Sequence, residues 1–111
     1  MKREHRLRKG PEFDTAYAKG TVIGGPLVVL RMLPNELGYA RWGFAVGKKL
    51  APLSTTRNRV RRLFREAVQS LDGQESYDII VTARREALTA TLDELRGGIV
   101  RGIDKHHRAA Q

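Results

Sequence analysis

Hydrophobic positions in this chain alternate between two periods, and the changes of period mark out its elements. Pro11 and Glu12 suit the first turn of a helix and Gly20 its end, which predicts a short helix over 11–19 with Phe13 and Tyr17 on one face. Thr21 to Ile23 reads as a short strand before the Gly24-Gly25-Pro26 break, and Leu27 to Leu33 as a fuller one. After the turn-forming run Pro34 to Gly38, Tyr39 to Val46 alternates again. Arg41, Gly43 and Ala45 share one face of it, with Trp42, Phe44 and Val46 facing the core. The two longer strands are expected to pair as an antiparallel hairpin. Ser54, Thr55 and Thr56 are N-cap candidates for a second helix. From Val60 its apolar residues fall at 60, 63, 64, 67, 68 and 71, and Asp72-Gly73 is its expected end. Tyr77 to Ala83 reads as a buried strand. Thr91 and Glu94 form a capping box for a third helix with Leu92, Leu95, Ile99 and Ile103 on its apolar face. Gly97, Gly98 and Gly102 weaken that helix by about 1 kcal/mol each relative to Ala. The order is αβββαβα, an α+β sandwich of helices on a small sheet. One domain over 1–111 is expected, with 1–9 as a basic arm and 104–111 as a flexible tail.

Composition narrows the function. The 111 residues include no cysteine, which excludes a disulfide framework, a thiolate metal site and a Cys nucleophile. Twenty-one Lys and Arg against 12 Asp and Glu give a net charge of +9. Six of those nine charges lie in residues 48–66, whereas residues 67–83 carry −3. Most of the cations are arginine, the better partner for bidentate phosphate contacts. A patch of this kind points to a polyanion, nucleic acid first. The basic start is followed by no apolar stretch, and the longest apolar run, Pro26 to Leu33, is too short to span a bilayer. A cytoplasmic protein without a membrane partner is the expectation.

The patch is concentrated on the second helix. Arg57, Arg61 and Arg65 repeat at i, i+4 and i+8, flanked by Asn58, Arg59 and Arg62. Five arginines in nine residues repel one another, and several lie in the first turns, where the helix dipole disfavours cations by a few tenths of a kcal/mol each. A docked polyanion reverses the sign of each of these terms. The plainer reading is an exposed amphipathic surface helix.

The stretch RNRVRRLFRE (57–66), with GFAVGKKL (43–50) ahead of it, strongly resembles the bacterial ribonuclease P protein family. Phe13 and Tyr17 followed by Lys19-Gly20, and Ala83, Arg84, Arg85 and Ala87 at a strand end, extend the resemblance over nearly the whole chain. Six residues rather than the usual five precede Arg57, Arg31 stands where the family often has an aromatic, and Glu86 where a Pro is common. The resemblance implies an αβββαβα fold with a small mixed four-stranded sheet and a left-handed βαβ crossover. It also implies the protein subunit of a ribonucleoprotein endonuclease that removes the 5′ leader of precursor tRNA. In that family the RNA subunit carries the active site and binds the Mg²⁺, and no cofactor is expected on the polypeptide. Arg57, Asn58, Arg59, Arg61, Arg62 and Arg65 would then meet the RNA subunit. A cleft between the first helix and the sheet would hold the single-stranded leader.

For that cleft, Phe13 and Tyr17 offer flat faces worth ~1–3 kcal/mol per stacked base, against the alternative of core packing. Arg41 would lie on the open sheet face, with Lys48, Lys49, Arg84 and Arg85 supplying phosphate contacts; Arg84 and Arg85 have Glu86 and Asp93 as alternative partners. The polypeptide itself lacks a nuclease constellation. His5, His106 and His107 fall in expected tails, and the acids Glu12, Asp14, Asp72, Glu75 and Asp78 show no metal-ligand spacing. Two other classes compete: a structural, ribosomal-type RNA-binding protein, and a DNA-binding helix. The second is disfavoured because arginines with Asn58 as the one amide suit phosphates better than base edges.

Overall fold

The computed structural model describes residues 2–71 and 76–110. The elements are α1 (Pro11–Lys19), β1 (Thr21–Gly24), β2 (Val28–Pro34), β3 (Arg41–Ala45), α2 (Ser54–Gln69), β4 (Tyr77–Ala83) and α3 (Leu92–Ala109), with 3₁₀ turns at Arg3–His5 and Arg85–Thr89. The αβββαβα order is as expected. The Asp72-Gly73 helix end, together with Glu75, lies outside the described residues.

The four strands form one mixed sheet in the order β1-β2-β4-β3. The hairpin is β1 with β2, pairing Thr21 with Met32 and Ile23 with Leu30. β4 lies antiparallel to β2 and parallel to β3, so the expected pairing of β2 with β3 does not occur. The reason is visible in β4, where Ile79, Ile80 and Val81 are fully buried. A strand apolar on both faces needs a neighbour on each side and cover above and below. β3 carries Arg41 and Gly43 on one face and tolerates an edge. Residues 6 and 7 cover that edge: Arg6 bridges Trp42, and the Leu7 N–H donates to the Trp42 carbonyl at 2.8 Å. Leu7 is buried, so the basic arm expected over 1–9 is in part a structural segment.

The two faces of the sheet are covered differently. On one, Leu30, Met32, Ile79 and Val81 pack with Val60 and Phe64 of α2 and Leu95, Ile99 and Ile103 of α3. Trp42 and Val46 join this core, and Phe44 stacks on Phe64 with ring centroids 6.0 Å apart. Burying a side chain such as Phe64 contributes about 1.5–3 kcal/mol. On the other face Ala16 of α1 and Leu7 of the N-terminal segment pack on Ile80, with Phe13 and Leu33 beside them. Gly43 permits this approach, since a Cβ there would fall 2.9 Å from the Phe13 ring.

Two local expectations are corrected. Ser54, Thr55 and Thr56 do not cap α2: Leu53 is the N-cap, without a side-chain hydrogen bond, and Ser54 already belongs to the helix. The loop ahead is instead held by Arg57, whose Nη1 donates to the carbonyls of Ala51 at 2.8 Å and Pro52 at 2.9 Å. The expected tail from residue 104 is helical through Ala109, because Ile103 is buried and His106 and His107 pack edge-on against Tyr77. The Thr91/Glu94 capping box is present, and the Thr91 backbone N–H, donating to the Glu94 carboxyl at 2.9 Å, is the main cause that holds it below its ordinary pKa. The glycines of α3 serve packing: a Cβ on Gly102 would lie 2.6 Å from Leu30 Cδ1.

Candidate RNA-binding surface

The helical repeat places Arg57, Arg61 and Arg65 on one flank of α2, where they form one wall of a cleft of about 640 Å³. The end of β3 and the following Gly47-Lys48 form its floor. Arg6, Arg8 and Lys9 from the N-terminal segment and Phe13 from α1 close the other side. Seven cations line this cleft and no carboxylate does. Trp42 and Phe44 give it an apolar base. Lys48 and Phe13 thus meet the arginine helix in a single site rather than on a separate surface.

The remaining α2 residues point elsewhere. Asn58 is exposed and accepts from Arg61 Nη1 at 3.2 Å. Arg59 donates to the Leu88 carbonyl at 2.8 Å, and Arg62 is exposed. The helix therefore has a cleft-facing stripe at 57, 61 and 65 and an outward stripe at 58, 59 and 62.

From the cleft a file of flat groups runs along α1. Phe13 and Tyr17 are near-parallel, 6.4 Å between centroids and 15° between planes. Arg31 lies over the Tyr17 ring with its guanidinium carbon 3.9 Å from the ring centroid, a cation–π contact. Phe13 is half-buried, whereas Tyr17 is 47% exposed. Phe13 packs against the sheet beside Ile80, whereas the Tyr17 ring is accessible.

Arg41 does not join the cleft. Its Nε and Nη2 donate to the two carboxylate oxygens of Asp78 at 2.8 and 2.7 Å, and that bond holds its pKa above the ordinary value. Asn35 Nδ2 also donates to Asp78, at 2.9 Å, so three donors converge on one buried acid. Arg41 thereby ties the start of β3 to β4 and to the turn after β2. Lys49 is exposed outside the cleft lining. Arg84 and Arg85 are exposed beyond the end of β4; the Arg84 N–H bonds to the Leu27 carbonyl and its guanidinium lies against Gly24. Among the described residues neither has an ion-pair partner, and Asp93 pairs with Arg96. The sequence reading missed Arg6, Arg8 and Lys9 as cleft residues. Their signal was present as a basic run, but the buried Leu7 that anchors it has none.

Among the described residues no three His, Cys, Asp or Glu side chains are placed to hold a metal ion, and no helix is long and apolar enough to cross a membrane. The family model described as Ribonuclease P matches residues 1–107. The chain belongs to the ribonuclease P protein family. A ribonuclease P protein component from Dehalococcoides mccartyi strain CBDB1 is 36% identical over 95 residues, covering 86% of this chain and 78% of its own. One from Alkaliphilus metalliredigens is 32% identical over 107 residues, covering 95% and 96%. The structure of the Staphylococcus aureus RNase P protein superimposes with a TM-score of 0.77 at 27% identity, over 92% of this chain and 94% of that one. The Thermotoga maritima RNase P protein gives 0.75 at 22% identity and supports the fold alone. As a member of this family the chain is the protein subunit of the ribonuclease P holoenzyme and acts in tRNA processing.

Proposed function

We propose that this ribonuclease P protein assists a catalytic RNA in removing the 5′ leader of precursor tRNA, binding the RNA subunit through α2 and the leader along α1. One observation carries the reading: seven cations and no carboxylate line a cleft that opens beside an aromatic file. At close range their mutual repulsion is relieved by phosphates, and each phosphate neutralised also releases counterions. Arg57, Arg61 and Arg65 serve the RNA subunit with Arg59, Arg62 and Asn58 on the adjacent stripe. Tyr17, about half exposed with the Arg31 guanidinium stacked on its ring, offers a flat surface to an unpaired base, Phe13 continues that surface into the cleft, and Lys48 and Lys49 neutralise the leader backbone. Arg84 and Arg85 lie apart from this path.

The polypeptide contributes positioning and charge rather than a reacting group. A Mg²⁺ ion that activated the attacking water would be held by the RNA rather than in this cleft, whose guanidinium and ammonium groups repel a divalent cation. A cytoplasmic location, with neither DNA nor membrane as partner, accompanies this role.

The test is reconstitution with a bacterial ribonuclease P RNA and a precursor tRNA at low Mg²⁺, following leader release against the RNA alone. Cleavage that depends on the protein is the expected result. A folded, RNA-binding protein that gives no stimulation would refute the reading and leave a structural RNA-binding role.

A further inference from the structure

A second basic groove lies away from the cleft, at the opposite edge of the sheet. It has a volume of about 290 Å³ and runs between α3 and the Gly24-Gly25-Pro26 turn of the β1–β2 hairpin. Arg101, Lys105 and Arg108 form its helical wall, and no carboxylate lines it. These three side chains are exposed, and among the described residues none has an ion-pair partner. Asp104, the acid on this stretch, is not part of the wall. The helix dipole accounts for Lys105 and Arg108 near the C-terminus but not for Arg101, two turns earlier.

We propose that this groove is a separate RNA-backbone site. It rests on the reading above that RNA is the partner. The stripe at 101, 105 and 108 extends about 10 Å along the helix, the length of a short run of phosphates. The opposite wall is a turn whose Gly24 and Gly25 present backbone, so a bulky polyanion can approach closely. Arg84 adds a fourth cation beside the turn, its Nη2 3.7 Å from the position of a Gly24 Cβ. No aromatic side chain lines the groove, so it grips the phosphodiester chain irrespective of sequence. The strand order sets it at the β1 edge while α2 and the cleft border β3, so the two sites grip RNA at two separated points. The phosphates come from the catalytic RNA or from the tRNA body, and two arms of one experiment separate these sources.

The triple variant Arg101→Gln/Lys105→Gln/Arg108→Gln keeps helix propensity and removes three charges; circular dichroism checks its fold. Affinity is measured against salt for the protein with a bacterial ribonuclease P RNA, and for the reconstituted holoenzyme with precursor and mature tRNA. In one of these arms the log–log salt slope should fall by about 2.7, so the loss between 50 and 200 mM salt becomes about 40-fold smaller. A change with the catalytic RNA assigns the groove to it; an equal change with both tRNAs assigns it to the tRNA body. Arg101→Gln alone should lower the slope by about one unit and carries the test if the triple variant does not fold. Arg61→Gln/Arg62→Gln is the control. Unchanged slopes in the α3 variants, with the control slope lowered, would overturn the groove and leave the cleft reading intact. Unchanged slopes in both sets overturn both.

Discussion

Arg41→Ala should unfold this protein more readily without changing what it recognises. Arg41 is 21% exposed and Asp78 7%, and the pair is bidentate at 2.7 and 2.8 Å. Removing the arginine leaves a buried carboxylate with Asn35 Nδ2 as its remaining side-chain donor. Breaking a buried pair costs about 3–5 kcal/mol, and the partial exposure of Arg41 places this one nearer about 2–3 kcal/mol. For a chain of 111 residues that is a drop in Tm of about 10 °C. Asp78→Ala should cost a similar amount, and the double variant should cost less than the two losses combined, by about 1–2 kcal/mol. The assay is thermal unfolding by circular dichroism, with precursor and mature tRNA affinities measured well below the transition. An unchanged Tm for Arg41→Ala, with a tenfold loss of precursor but not mature tRNA binding, would show that Arg41 contacts the leader and refute the structural assignment.

Tyr17→Ala should weaken holoenzyme binding of precursor tRNA about tenfold, leave mature tRNA unaffected and leave Tm nearly unchanged, because the ring is about half exposed; equal losses for both tRNAs would argue against stacking on the leader. Burial, and then the neighbouring His107, depress the pKa of His106, so the folded protein favours its neutral form. Stability is therefore expected to fall as pH drops below about 6.5, and a scan of Tm from pH 7.5 to 5.5 should show a smaller decline in His106→Gln.

Local signals carried most of the elements. Pro11 with Gly20, the 3.6 period from Val60 and the Thr91/Glu94 box each specify structure within a few residues, and those elements stand where expected. Pairing between strands is a long-range property and was misjudged. Nearness in sequence favoured β2 with β3, whereas the two-sided burial of Ile79 to Val81 decided the sheet order. The candidate site divided the same way. The arginine stripe at 57, 61 and 65 was legible from periodicity. The commitment of Arg41 to Asp78 was not, because the partners lie 37 residues apart and either alone reads as a surface charge. The motif associates Arg84 and Arg85 with the leader site; β4 ends level with the end of β3, but both arginines lie outside the cleft lining, and the Arg84 guanidinium is directed to Gly24.

The central position of β4 also governs when this protein can fold. Until residue 83 has left the ribosome, β2 and β3 have no strand to join them, and the apolar residues of β2 and α2 lack their covering partner. The β1–β2 hairpin can form early, but it is two strands and marginal by itself. Sheet closure is thus a late event that pairs segments distant in sequence, which slows folding relative to a chain of nested hairpins. During that interval the nascent chain already displays the positive charge of residues 48–66, so RNA nearby can meet the arginine helix before its sheet exists.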